Sequence, residues 1–291
     1  MIKAGIYGAQ GATAATLIKI LVFHPDVNLL WVVDQNPPEP LSTKYRVLTG
    51  ETQLSTTQTT TPPTEVDVVF IAINDGLTAH FVEQLPEQTK VIDLTGAYRY
   101  SEDFIYGLPE INRKYMVHDC FRVTCPSACA IIVELALLLL ARNLMLTSDV
   151  SVTITAAQPI DAAQVEKELI YLLSGVQNSF KHHVHVEAAT ATQARGITAT
   201  VKVNCSTALD LVHTLYNDYF DDHNFTFIID QAPAASDVLG TNKCLLHLQH
   251  DGWQLTVTAA IDDLIKGDAG TAVHCMNLLF GLHERVGLET F

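Results

Sequence analysis

Positive charge is scarce. The chain of 291 residues carries 17 Lys plus Arg against 32 Asp plus Glu, a formal net charge of -15. A chain this acidic has no electrostatic footprint for nucleic acid or for an anionic membrane surface, so neither is expected as a partner. Long apolar runs are missing too. The longest candidate, residues 131–141, is shorter than a bilayer span and is interrupted by Glu134. The first residues lack the basic start and extended apolar core of a secretory signal, so a cytoplasmic protein is expected. Cysteine is sparse. Six residues (Cys120, Cys125, Cys129, Cys205, Cys244, Cys275) are scattered through a long chain, which is not a disulfide framework. No Cys or acid cluster at metal-ligand spacing accompanies the histidines, so no metal is expected.

What is present begins at the first residues. An apolar strand pattern over 2–7 runs into Gly8-Ala9-Gln10-Gly11, and a helical pattern follows with Ala14, Leu17, Ile18, Leu21 and Val22 on one face. Strand, tight turn and helix is the context of a dinucleotide-binding loop, here spaced Gly8-x-x-Gly11-x-x-Ala14. Gly8 suits the turn, and Gly11 suits close approach of a pyrophosphate. The amides around Gln10, Gly11 and Ala12 would hold the phosphates. A second strand pattern over 28–33 ends at Asp34, where an acid binds the ribose hydroxyls of NAD. This position favours NAD over NADP, although Lys44 and Arg46 follow and could compensate; a solvent-facing strand-end Asp is the plainer alternative. The apolar run 67–73 suits a buried parallel strand and ends at Asn74, at the edge where ligands sit in such sheets. Another strand over 90–94 is followed by Arg99, a candidate clamp for a phosphate or carboxylate.

Three segments carry a family resemblance. Asp93-Leu-Thr-Gly-Ala-Tyr-Arg-Tyr with the later Tyr-Gly-Leu-Pro-Glu-Ile-Asn-Arg, the opening stretch from Gly5, and the C-terminal stretch 261–288 resemble N-acetyl-gamma-glutamyl-phosphate reductase, of the aspartate-semialdehyde dehydrogenase-like group. The resemblance implies an α/β chain: a Rossmann-type nucleotide domain (1–127 and 266–291) with an inserted α+β mixed-sheet domain (128–265) for catalysis and dimerisation. It further implies NADP or NAD as cofactor, a small-molecule acyl phosphate or semialdehyde as substrate, and a homodimer or homotetramer. The expected activity is reduction of the acyl phosphate to N-acetylglutamate 5-semialdehyde in arginine biosynthesis. Asn277 would contact the nicotinamide end, and Gly270 would allow close backbone approach to the cofactor or to the Cys helix. Ser127, Arg99 and Arg195, the last in Arg195-Gly196-Ile197, would bind substrate.

Reduction of an acyl phosphate calls for a thiolate, a proton acceptor and a cation for the leaving phosphate. The family's nucleophile lies in Asn-Pro-Gly-Cys at a helix start. Here the segment reads Cys125-Pro126-Ser127-Ala128-Cys129, so alignment on Pro126 places Ala128 at the family's Cys and Cys129 one residue late. Cys129 is the candidate nucleophile, with its pKa expected to be lowered by the helix N-terminus; a small buried core thiol is the alternative. The family's His-Arg-His ahead of the acidic helix, here 162–173, has no counterpart. Lys181-His182-His183-Val184-His185 lies further on and makes His185 the substitute base, against exposed strand histidines as the alternative. Two other readings follow from these departures: a nucleotide-binding relative with impaired catalysis and a regulatory role, or a related oxidoreductase with another substrate.

Overall fold

A computed structural model describes residues 1–118 and 120–289; positions 290 and 291 of the expected segment 266–291 lie outside the described residues. The chain divides into two compact units, 1–126 with 268–289 and 127–267.

The first unit opens with β1 (Ile2–Tyr7), α1 (Gly11–Phe23) and β2 (Val27–Val33). Then come α2 (Leu41–Lys44), β3 (Thr56–Thr57), β4 (Val68–Ile71), α3 (Thr78–Glu83), β5 (Lys90–Asp93), β6 (Ile105–Tyr106), α4 (Pro109–Val117) and β7 (Arg122–Thr124). The seven strands form one parallel sheet in the order β3-β2-β1-β4-β5-β7-β6. Its central strands are continuous apolar runs: all of Val68–Ile71 and nearly all of Ile2–Tyr7 are buried. That is the signature of a parallel sheet covered on both faces. The strand order reverses between β1 and β4, and ligands of such sheets bind outside the strand C-termini at that point. Gly8 ends β1 there with φ +107°, and a Cβ on it would lie 2.7 Å from Ile73 Cγ2. Backbone conformation and space therefore both require glycine.

The second unit contains α5 (Ala128–Arg142), β8 (Val150–Ala156), α6 (Ala162–Val176), β9 (Val184–Thr190), β10 (Ile197–Asn204), α7 (Leu209–Phe220), β11 (Thr226–Ile228), β12 (Cys244–Asp251) and β13 (Gln254–Ile261). Its six-stranded mixed sheet has the order β11-β12-β13-β10-β8-β9. The β12–β13 hairpin closes at Asp251↔Gln254 with Gly252 at φ +61°, as the Asp-Gly signal predicts. α5 packs on β10 and β13 and against both α6 and α7, so the three helices cover one face. α5 is buried from Ala130 to Ala141, the pattern of a helix that is apolar all round. On the other face the strands present partly exposed threonines, among them Thr200 and its partner Thr258.

The chain returns to the first unit with α8 (Gly270–Leu279), which packs on α1, α4 and β5. Before it, Gly267 passes close to the start of α5: a Cβ there would meet Ala128 Cβ at 2.6 Å.

Candidate functional site

In the first unit the turn after β1 presents exposed residues Gln10, Gly11 and Ala12 at the start of α1. Gly11 has φ +82°, and nothing lies within 4 Å of its ideal Cβ, so its open side is free for an incoming group. Thr13 in the first helical turn donates to the Asp268 carboxylate. The cradle fits a dinucleotide pyrophosphate, with the amides of 10–12 as donors. Gln10 Nε2 donates to Asp34 Oδ1 (3.1 Å), and Lys44 Nζ stands 3.0 Å from Asp34 Oδ2. Burial pushes the Asp34 carboxyl up, but the Asn36 N–H, Lys44 and Gln10 outweigh it and leave it below its ordinary value. Asn74 is exposed just past β4. Nearby, Tyr7 Oη donates to Asp75 and accepts from Gln35; burial, then Asp75, pushes the phenol up to about 12.

Arg99 lies in a loop organised by Asp93. The fully buried Asp93 carboxylate accepts from Thr95 N–H and Oγ1, Tyr98 N–H and Thr124 Oγ1. Arg99 folds back over Gly96 and donates to the Cys125 carbonyl at 3.4 Å. Gly270 is buried at the start of α8. Asn277 lies further along α8. It is fully buried: its Oδ1 faces His24 Nε2 at 3.1 Å, and its Nδ2 donates to the carbonyls of Glu284 and Val286. Both ends of the amide are engaged, so it pins the C-terminal turn to α8.

In the second unit α5 begins at an acid. Ser127 caps the helix by accepting from Ala130 N–H, while its own N–H and hydroxyl donate to the two oxygens of Glu168 at 3.0 and 2.8 Å. Glu168 is fully buried on α6. Ser127 is thus engaged in the helix cap and on Glu168. Cys129 follows in the first turn, partly buried. Burial, then the carboxylates of Glu168 and Asp263, pushes its thiol up to about 11. This is the opposite of the lowering expected at a helix N-terminus: burial outweighs the helix end, and the Glu168 carboxylate at that end adds to it.

His185 lies on β9. Val184 and Val186 are buried while His185 is 63% exposed in its side chain, beside Asp149 at 3.8 Å. In register with the exposed Ser151 of β8, it lies on the sheet face opposite the helices, so strand alternation separates it from Cys129. Arg195 is bidentate through Nε and Nη2 on Asp262 Oδ1, at 3.1 and 2.9 Å. Asp262, fully buried, also accepts from the N–H groups of Gly240, Leu264 and Ile265.

Sequence reasoning passed over Glu168. Its signal lies in Val165, Glu168, Leu169 and Leu172, which occupy successive positions of one buried helical stripe, so an acid sits where the period requires an apolar residue. Asp262 at a strand end carries no comparable signal.

The family "Semialdehyde dehydrogenase, NAD binding domain" matches residues 3–118, and "Semialdehyde dehydrogenase, dimerisation domain" matches 164–263. N-acetyl-gamma-glutamyl-phosphate reductases of Parabacteroides distasonis and Phocaeicola vulgatus are each 36% identical, over 99% of this chain and 98% of their own length. The alignment with the first spans 318 positions against 291 residues here, so that relative has residues with no counterpart in this chain. Aspartate semialdehyde dehydrogenase II from Vibrio cholerae, solved complexed with ASA, superposes with a TM-score of 0.75 at 16% identity, over 97% of this chain and 98% of that one. Aspartate semialdehyde dehydrogenase with NADP from Candida albicans gives 0.75 at 13%, over 96% and 98%. At such identities the two structures speak for the fold alone.

Proposed function

The chain belongs to the N-acetyl-gamma-glutamyl-phosphate reductase family of the semialdehyde dehydrogenase group, and from that membership we propose that it reduces N-acetyl-gamma-glutamyl phosphate to N-acetylglutamate 5-semialdehyde. Phosphate is released, in a cytoplasmic step of arginine biosynthesis. The observation that carries this reading is the 36% identity sustained over 99% of the chain.

The residues proposed to bind the dinucleotide are the turn Gly8–Ala12, Asp34, Asn74 and Gly270. A bound nicotinamide dinucleotide supplies the hydride. Cys129 is the residue proposed to carry the acyl group: its Sγ bonds to the acyl carbon as the carbon–oxygen bond to phosphate breaks, and its proton leaves to a base. Burial acts on this thiol first, and the carboxylates of Glu168 and Asp263 after it. Arg99 and Arg195 are the proposed anchors for anionic parts of the substrate. Arg195 is oriented for this by Asp262, which holds two of its nitrogens.

A second reading draws on one observation. Ala128 stands at the first position of α5, and the adjacent Cys129 thiol is held protonated near pH 7. A dinucleotide-binding relative without thioester chemistry would look like this. Turnover of the semialdehyde with phosphate and dinucleotide, lost in Cys129→Ser, supports the first reading; dinucleotide binding without turnover supports the second.

Assembly as a homodimer or homotetramer through the second unit is part of the proposal. The matched dimerisation-domain family and the threonine-rich sheet face support it.

A further inference from the structure

Asp34 closes β2 with its side chain 1% exposed. Three donors converge on it: Gln10 Nε2 and the Asn36 N–H, each at 3.1 Å from Oδ1, and Lys44 Nζ at 3.0 Å from Oδ2. The same ammonium stands 3.0 Å from Glu39 Oε1. One cation therefore serves two carboxylates, and the cluster keeps a net negative charge. The next residue, Tyr45, donates its hydroxyl to the Ala9 carbonyl at 2.5 Å, tying this segment to the glycine turn.

In a doubly wound nucleotide sheet an acid at this strand end accepts the ribose hydroxyls of a dinucleotide, whereas a 2'-phosphate is received by a cation. Lys44 does not offer that reception, because its charge is already held at contact distance by Asp34 and Glu39. A 2'-phosphate brought to the carboxylates around Lys44 meets an excess of like charge in a half-buried setting, where screening is weak, while Arg46, the other cation of this segment, is exposed at the start of the next turn, 46–48. A ribose with both hydroxyls free meets an acceptor whose present donor, the exposed Gln10 amide, it can replace.

We infer that this chain takes NADH in preference to NADPH, with Asp34 as the specificity-determining residue and Lys44 as the positioning residue that holds its carboxylate. The inference rests on the dinucleotide-binding part of the proposed function and is independent of the nucleophile.

The test is direct titration of the full chain with NADH and with NADPH, without acyl substrate, followed by nicotinamide fluorescence or calorimetry. NADH is expected to bind about tenfold tighter or more, the discrimination that hydrogen bonds to a charged group provide. Asp34→Ser is expected to weaken NADH by about the same factor and to erase the difference. Asp34→Asn keeps the shape and removes the charge; it is expected to narrow the ratio by tightening NADPH, and it decides the matter if the serine variant does not fold. NADPH binding as tightly as NADH or tighter overturns the inference, as does binding of neither. Preferential NADH binding without acyl-phosphate turnover leaves the inference standing and counts against the reductase reading alone.

Discussion

Cys129 sits where two local effects oppose each other. The first turn of a helix stabilises a thiolate, but the start of α5 is already neutralised by Glu168, whose carboxylate takes both donors of Ser127. With burial and Asp263 added, the thiol titrates at about 11. If thiolate formation limits the reaction, the rate should rise about tenfold per unit from pH 7 to 10 and level off near the thiol pKa. A plateau already at pH 7 would show a thiolate formed by other means. Glu168→Gln removes the charge while keeping an acceptor for Ser127, so it should lower the thiol pKa, read as iodoacetamide alkylation rate against pH. Glu168→Ala leaves the Ser127 N–H and hydroxyl without their partner and should cost about 1–3 kcal/mol in urea unfolding. None of this was legible in Cys125-Pro126-Ser127-Ala128-Cys129, because the burial comes from the fold and the carboxylate that adds to it lies 39 positions beyond Cys129, on α6.

At the scale of elements, the parallel sheet of the first unit was largely readable. Apolar runs at 2–7, 28–33, 67–73 and 90–94 correspond to β1, β2, β4 and β5, since a strand buried on both faces must be continuously apolar. The unread elements were those whose residues carry no such run. Pro109–Val117 has three buried residues, and Ile105–Tyr106 and Arg122–Thr124 are two- and three-residue strands, the first at the sheet edge and the second just inside it, fixed by the sheet they join. The glycine turn is the element on which cofactor binding depends. Gly8→Ala combines φ +107° with a Cβ 2.7 Å from Ile73. It should cost on the order of 1–3 kcal/mol and abolish dinucleotide binding in a fluorescence titration. Gly11→Ala, with open space around its Cβ, carries the backbone strain alone and should cost less.

At the scale of the molecule, stability should depend on acid conditions through the C-terminal turn. Glu284 accepts from Arg113 at 3.2 Å and lies 2.6 Å from His274 Nε2. Burial opposes its ionisation, but His274 and Arg113 pull its pKa to about 2 from 4.5. The folded state therefore holds this carboxylate ionised where the unfolded chain protonates it. Its contribution is complete above about pH 4.5 and is lost as pH falls toward 2. On the order of 2–3 kcal/mol should be lost this way, and Glu284→Gln should show a smaller acid loss in urea midpoints between pH 6 and 3. Assembly belongs to this scale too. Thr200→Arg with Thr258→Arg, paired across β10 and β13, places two cations on the open sheet face and should shift the protein toward monomer in light scattering; an unchanged mass would remove that face from the interface. Family membership was legible because the matching segments lie in the opening and closing stretches of the chain, where backbone approach restricts the residues, as at Gly8 and Gly267. The base was not legible: the histidine that sequence order suggested lies on the far face of its sheet.

The most direct test is the phosphate-dependent oxidation of N-acetylglutamate 5-semialdehyde by purified protein, followed as dinucleotide reduction at 340 nm, with wild type beside Cys129→Ser. Turnover by the wild type that requires phosphate and falls to background in Cys129→Ser is expected. Turnover that survives Cys129→Ser would remove Cys129 as nucleophile, and tight dinucleotide binding without wild-type turnover would contradict the reductase assignment.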